Sequence, residues 1–483
     1  MLARKFLVSI FSKFFILLIT FLTSIITARY MGPEKLGLIA FAASSMAILG
    51  SLVYLGFNQS HSKRVSEGRD TEVCISTYLL IQITLTTLMA LAGLFLVYYV
   101  INYEAIIETI IYIFIISLVF ESLSQVSIVT FEATLEINTS EFLKIVRKIV
   151  FCVLSIIVCI TSRNVIHLAL VTLVATIIQF LLGTFLLKRK YSLKRPSIEL
   201  AKSYKDFALP LMFIMVLGVI SINIDKLMIG AFFEYNEVGY YSLPQTIFVG
   251  LGMISMSAAS IIFPKISEYH RFNKIKEIRN LVTKTERYLS IIAFPLVILV
   301  IVLAEPIVIN VFSEQFAPSI PIFQIMSMVV LMTFLNRPYT VMITGMDKPK
   351  LLAKLSSSCI LIGIILNIIF IPNELFGYKL LGLGAIGAAL TTSMIWIIQF
   401  PVYRYWSYKF LGIGINKQLL PPIISSVSMG LILYIISKNY LVDDITTLFL
   451  LSFLGMIIYF FFMIISKGLG KDDLLFIKRI LKI

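Results

Sequence analysis

Charge is scarce in this chain. Only 14% of its 483 residues are Asp, Glu, Lys or Arg, against roughly 25% in an ordinary soluble domain, while 59% are hydrophobic. A soluble fold of this composition would lack the polar surface that keeps it dispersed. A cytosolic enzyme, a secreted scaffold and a disordered chain are therefore excluded. Reactive side chains are scarce too. Cys74, Cys152, Cys159 and Cys359 form no CxxC pair and have no histidine at metal-ligand spacing, so they imply neither a disulfide framework nor a metal centre. They read as small apolar fillers. Cys152 and Cys159 are seven residues apart, on what would be one helix face. The three histidines, His61, His167 and His270, fall in expected loops far apart, and Asp443-Asp444 and Asp472-Asp473 stand without a DxD or DxxD arrangement. Nothing here implies a cofactor or an enzyme. A membrane glycosyltransferase lacks a candidate site, and a polysaccharide polymerase would need a large external loop where the longest expected is about ten residues.

What the chain does have is long hydrophobic runs, with a mean hydropathy of +0.96. Charged and turn residues divide them into fourteen candidate spans: 6–28, 36–57, 75–101, 105–130, 142–161, 165–187, 207–232, 240–263, 287–312, 320–345, 351–371, 382–405, 417–437 and 444–466. At 1.5 Å rise per residue, these lengths suit a hydrocarbon core of roughly 30 Å. The stretch Phe14 to Ala28 leads directly into another span, unlike a cleavable signal. Lys and Arg number 41 against 26 Asp and Glu, and the loops segregate them, 33 on the side holding both termini and 5 on the other. By the positive-inside rule both termini face the cytoplasm. This also accounts for the net charge of +15 without nucleic acid. The clusters Lys188 to Lys190, Lys194-Arg195 and Lys265 to Arg287 would fix topology and attract anionic lipid, at about 1 kcal/mol per charge.

The chain repeats itself. At an offset of 220, seven of twelve residues from 169 to 180 match those from 389 to 400. At an offset of 202, Gly37, Gly50 and Lys63 pair with Gly239, Gly252 and Lys265. Spans one to six are thus duplicated as seven to twelve, in the same orientation because six is even. The expectation is an all-α polytopic membrane protein of about fourteen transmembrane helices. Two six-helix lobes would be related by a pseudo-two-fold axis along the membrane normal and rock about a central cleft, with two further C-terminal helices. The boundaries are 1–190 for the N-lobe, 191–206 for a basic cytoplasmic linker, 207–410 for the C-lobe, and 411–483 for helices 13 and 14 with a basic tail. Spans one to six contain no proline, whereas Pro295 and Pro338 fall well inside later spans, where each favours a kink. They are the expected hinges, with more bending in the second lobe.

The run from Ala28 to Gly37, reading ARYMGPEKLG, resembles the signature after the first helix of the polysaccharide transporter family, which includes the Wzx-type O-antigen flippases of the MATE/MOP superfamily. Asn223 to Gly230 with Val238 to Tyr241, Asn367 to Pro372, and Leu381 to Thr392 resemble further segments of that family. Met31-Gly32 stands where Leu-Gly is commoner. The resemblance covers nearly the whole chain and implies alternating-access transport of polyprenyl-diphosphate-linked oligosaccharide, an O-antigen or polysaccharide repeat unit, from the cytoplasmic to the outer leaflet of the cell (inner) membrane. It also implies work beside a polysaccharide polymerase and chain-length machinery of lipopolysaccharide assembly. The alternative within the superfamily is a cation-coupled multidrug or small-molecule exporter.

Ionisable groups at membrane depth cost about 2.5–3.5 kcal/mol at a helix centre, so they mark cavities. Glu121 lies centrally in span four and Arg337 centrally in span ten. Arg337 suits a diphosphate contact, since a guanidinium donates bidentately, but a pairing with Glu121 or a cap at the Pro338 kink remains open. Lys13 reaches either the cleft or the interface. Asp225 and Lys226, adjacent on span seven, point about 100° apart and serve either the cavity or lobe-to-lobe ion pairs. Arg29 and Glu305 read as interfacial, with Arg29 a further candidate for the substrate. Na⁺ or H⁺ coupling through Glu121 or Asp225 is a further expectation. Gly382 to Gly387 fits GxGxxG, but it opens an apolar span without the βαβ context of a dinucleotide site and reads as close helix packing.

Overall fold

The computed structural model describes residues 2–54, 56–100, 104–414, 416–439, 442 and 444–468. Asp443, Asp472-Asp473 and the basic tail from 469 onward lie outside the described residues. Fifteen α-helices follow in order: α1 (Leu2–Tyr54), α2 (Phe57–Ser66), α3 (Thr71–Phe95), α4 (Ala105–Ala133), α5 (Ile137–Thr161), α6 (Val165–Lys190), α7 (Ile198–Phe232), α8 (Tyr235–Arg271), α9 (Ile275–Val302), the short α10 (Ala304–Ile307), α11 (Ile320–Gly345), α12 (Pro349–Phe370), α13 (Gly384–Leu411), α14 (Leu420–Asn439) and α15 (Ile445–Ile465). Between α12 and α13, strands β1 (Glu374–Leu375) and β2 (Tyr378–Lys379) form a small antiparallel hairpin.

Twelve helical segments are long and apolar enough to cross a membrane by length and composition. Two details reconcile this with the fourteen expected. First, α1 is two helices, because Gly32 sits at φ 75° and ψ 174°, a backbone state open to glycine, and Pro33 follows it without an N–H to continue the ladder. Spans one and two are the two arms. Second, α5 carries Lys144, Arg147 and Lys148 in its first three turns, which lowers its hydropathy although it is 25 residues long. Caps lie where the sequence offers them. The Asp70 carboxylate accepts from the Glu72 and Val73 amides at the start of α3, Asn164 caps α6, and Ser197 caps α7. The segment before α7 is tied down by Lys194, which bonds Asp70 at 2.7 Å and Glu72 at 3.0 Å. That bond holds the Asp70 carboxyl below its ordinary range and Lys194 above its own.

The chain divides into two compact units, residues 1–242 with 371–380, and 243–370 with 381–483. In the first, α4 is the central helix, packed chiefly on α6 and α3 and buried along most of its length. In the second, α11 takes that place, packed chiefly on α13 and α9. Under the expected repeat, span four corresponds to ten, six to twelve and three to nine, so each unit reuses one packing plan. By packing, α7 belongs with α1 to α6. The expected linker, 191–206, runs from the end of α6 into the first turns of α7. The histidines differ from expectation. None lies in a loop: His61 is on α2, His167 on α6 and His270 in the last turn of α8.

The Gly37 and Gly239 pair of the repeat also meets in space, within the first unit. A Cβ on Gly37 would lie 1.7 Å from the Tyr235 carbonyl oxygen, and one on Gly239 would lie 2.0 Å from that of Pro33. The contact is reciprocal, because Pro33 and Tyr235 are themselves 202 residues apart. Backbone meets backbone there, so no rotamer change can relieve a methyl group. Gly239→Ala is expected to destabilise the protein by at least about 2 kcal/mol, read as a lowered melting temperature in detergent. Gly218→Ala, whose Cβ would have no neighbour within 4 Å, should leave it unchanged.

Candidate functional site

On α4, Glu121, Gln125, Ile128 and Glu132 recur at helical spacing and share one face. On α5, Lys144, Arg147 and Lys148 do the same at i, i+3 and i+4. The opposite face of α5 is apolar and exposed, through Ile149, Val153, Ile157 and Ile160, as a lipid-facing stripe requires. Burying the charged face turns the two polar faces together. Arg147 Nη1 donates to Glu121 at 2.7 Å, and Lys144 donates to Glu132 at 2.6 Å and to Glu141 at 3.2 Å. Arg147 and Glu121 keep 25% and 34% of their side-chain surface exposed, so the pair is neither sealed nor fully in solvent. Lys148 has no carboxylate within ion-pair distance among the described residues.

These groups open onto a cavity of about 590 Å³ wholly within the first unit. Lys144, Arg147, Lys148 and Glu132 line it, with carboxamides from three helices: Asn58 and Gln59 on α2, Gln125 on α4 and Gln179 on α6. The Gln179 amide is held by Leu143 O and Ser124 Oγ. Cations beside amides can engage an anionic group and the hydroxyls of a sugar together. The sequence pattern missed this face. The positive-inside tally counts Lys144, Arg147 and Lys148 with the loop before span five, although their spacing already placed them on one helical stripe.

A buried polar network stands behind the cavity. His61 is fully buried, bonded through Nδ1 to the Tyr204 hydroxyl at 2.8 Å and through Nε2 to Thr130 Oγ1 at 2.9 Å. Thr130 already donates to Val126 O at 2.6 Å, so it accepts from His61 Nε2–H, and Tyr204 donates to Nδ1. This assigns a neutral imidazole. It stacks on Tyr78, whose hydroxyl donates to Asn58 on the cavity wall. The network ties α2, α3, α4 and α7 together.

The residues expected to serve the site are not gathered in one place. Glu121 finds its partner in Arg147. Asp225 is buried and accepts from the Tyr241 hydroxyl, with Lys226 half-buried beside it. Lys13 and Arg29, both on α1, are exposed, as is Glu305. In the second unit Arg337 is half-buried on α11, its Nε donating to Ser255 Oγ at 3.2 Å. Pro295 and Pro338 are buried inside α9 and α11, which continue through them. Nearby, Arg404 donates to the fully buried Glu286 at 2.5 Å and to the Tyr339 hydroxyl at 2.8 Å, while Asn416 satisfies the other Glu286 oxygen.

The helical plan is shared with solved membrane proteins. Lipid II flippase MurJ in its inward closed conformation superposes with a TM-score of 0.78 at 16% identity, covering 95% of this chain and 98% of that one. A multidrug resistance MATE transporter in its inward-facing conformation gives 0.63 at 16% identity over 81% of this chain and 94% of that one. The family described as Polysaccharide biosynthesis protein matches residues 26–321, and the chain belongs to it. Among curated relatives, the probable low-salt glycan biosynthesis flippase Agl15 of Haloferax volcanii is 20% identical over 442 residues, 89% of each chain. The teichuronic acid biosynthesis protein TuaB of Bacillus subtilis is 20% identical over 225 residues, 45% of this chain and 44% of that one.

Removing one partner of a buried ion pair leaves the other uncompensated. Arg404→Ala is expected to lose about 3 kcal/mol, whereas replacing both partners, Glu286→Gln with Arg404→Met, should recover most of it. Melting temperatures of the purified variants test this.

Proposed function

We propose that this protein is a flippase that carries polyprenyl-diphosphate-linked oligosaccharide from the cytoplasmic to the outer leaflet of the cell membrane by alternating access. The observation that carries the reading is the cation-bearing, amide-lined cavity set among the helices of the first unit. Family membership and the flippase relative that matches along 89% of both chains support it. In this reading both termini are cytoplasmic, and residues 1–190 and 207–410 are the two repeat-derived lobes. The protein is a carrier, not a catalyst, and passes its cargo to a polymerase and chain-length machinery. The basic clusters along the cytoplasmic side rest on anionic lipid.

Physical chemistry sets the task. Because the cell interior is negative, an anionic diphosphate moving outward gains about 2.3 kcal/mol per charge per 100 mV. The opposing cost is desolvation of the phosphates and sugars. A hydrated cavity with fixed cations lowers that cost, while the lipid tail stays in the bilayer. Within the first unit, Arg147 and Lys148 join Lys226, Lys13 and Arg29 as candidate contacts for the anionic headgroup, and Arg337 is the candidate contact of the second unit. Pro295 and Pro338 serve as hinges. Glu121 and Asp225 are the acids available to couple an inward Na⁺ or H⁺.

The test is flipping of a fluorescent polyprenyl-diphosphate sugar in vesicles reconstituted with the purified protein. Wild type is expected to flip it, with Arg147→Ala and Arg337→Ala each slowing the rate at least about tenfold, the scale of one lost charge-assisted contact. An inert wild type in an assay validated with another flippase would remove the proposed cargo. In the same vesicles, collapse of both the Na⁺ and H⁺ gradients is expected to slow flipping, and an unchanged rate would remove ion coupling through Glu121 or Asp225.

A further inference from the structure

Among the described residues, Arg147 is bound at one point. Its Nη1 meets a single oxygen of Glu121, and the same guanidinium lines the cavity, whereas Glu121 is not part of the lining. A guanidinium has five donors in a planar fork, so Arg147 still presents donors to the cavity while Glu121 holds it from the far side. One helical step away, Lys148 faces the same cavity without a carboxylate partner among the described residues. The Tyr54 hydroxyl is buried with no hydrogen-bond partner and lies close enough to feel the charges of both Glu121 and Arg147. Two adjacent cations, Arg147 and Lys148, therefore converge on one wall, whereas the Tyr54 hydroxyl is not part of the lining. The charge there is nearly balanced, since Lys144 is matched by Glu132 and Glu141 and Arg147 by Glu121.

We propose that Arg147 and Lys148 form a diphosphate subsite in the first unit, and that Glu121 holds its affinity down. The proposal rests on the flippase reading for the identity of its ligand. Glu121 has two opposed effects. Its hydrogen bond orients the Arg147 fork towards the cavity, which favours an incoming anion. Its negative charge cancels that of Arg147 and repels the same anion, which disfavours it. Gln at 121 keeps an oxygen acceptor for Arg147 and removes the charge, so only the repulsion is lost. The purpose of such restraint is release, because a carrier must bind its cargo well enough to admit it and weakly enough to let it go. Lys148, which makes no direct ion pair among the described residues, is the cation left free to meet the anion.

The experiment is calorimetric titration of inorganic diphosphate into the full chain in nanodiscs of zwitterionic lipid. Wild type is expected to bind weakly but saturably. Glu121→Gln should bind about tenfold or more tightly, by removal of a like charge at short range. Lys148→Gln should bind about fivefold or more weakly, by loss of a charge-assisted contact. Lys148 makes no ion pair among the described residues and only a distant cation–π approach, 5.9 Å, to the Phe151 ring, and melting temperatures verify that both variants are folded. Equal or weaker binding by a folded Glu121→Gln overturns the proposal, as does a Lys148→Gln that binds like wild type. Competition by phosphatidylglycerol at least as strong as that by diphosphate assigns the subsite to bulk lipid and overturns it too. Vesicle flipping separates this result from the broader reading. Diphosphate binding tuned by Glu121 in a protein that flips nothing removes the flippase and keeps the subsite, whereas flipping with untuned binding does the reverse.

Discussion

An ionised side chain at membrane depth must find either a counter-charge or water, because lipid tails offer neither. This constraint organises the first unit. Three cations on α5 and three carboxylates on α4 and α5 cannot face hydrocarbon, so the helices turn those faces inward and give Ile149, Val153, Ile157 and Ile160 to the exterior. Once turned inward, long charged side chains do not pack as densely as leucine, and the space they leave is the cavity. The site thus results from solving a burial problem and is not an addition to a finished fold. The second unit meets the same constraint differently at Glu286. There Arg404, Tyr339 and Asn416 satisfy the carboxylate with no surface left exposed, and the result is a rigid lock.

Duplication explains why the two solutions share a frame. The central helices α4 and α11 occupy corresponding places in the repeat and are surrounded by corresponding neighbours. Yet α4 carries Glu121 and Glu132 where α11 carries Arg337 and few other charges. The packing plan has been kept while the polar content has diverged, as expected when packing is set by apolar volume and function by a handful of charged positions. The reciprocal contact of Gly37 and Gly239 shows how little sequence such a plan needs. Two glycines at the repeat offset permit a backbone crossing that no other residue allows.

The helices were legible because hydropathy over twenty residues is a strong signal, and most span limits fell within a few residues of the helix ends. The first two spans were separable because Gly32-Pro33 breaks the ladder. The lining of the cavity was less legible, and the reason is physical. Lys144, Arg147 and Lys148 fall inside the span set at 142–161, yet the charge tally counts them with the loop before it, although their spacing is helical. Averaging over a window discards the phase that distinguishes an inward charged stripe from a solvated turn. His61 was misplaced for the same reason, since α2 is short and polar while its burial is set by Tyr78, Thr130 and Tyr204, which are distant in sequence. The pairing of Glu121 with Arg147 required three-dimensional proximity that no single-chain pattern encodes.

Charge balance on the cavity wall follows from what a carrier of an anion must avoid. A well made deeper by unopposed cations would hold a diphosphate more tightly than the membrane potential could release it, since 100 mV supplies only about 2.3 kcal/mol per charge and one close, unscreened ion pair exceeds that. A wall of apolar residues would fail in the opposite way, by leaving desolvation uncompensated. Paired cations lie between these limits. They present donors and dipoles that replace water around the phosphates, while their own carboxylates cancel most of the net field. In the proposed reading the three cations and three carboxylates balance overall, Lys148 is the cation without a direct ion pair among the described residues, and the depth of the well becomes a matter of which acids stand behind the lysines and the arginine. Glu121, Glu132 and Glu141 are therefore as much a part of binding as the cations they accompany.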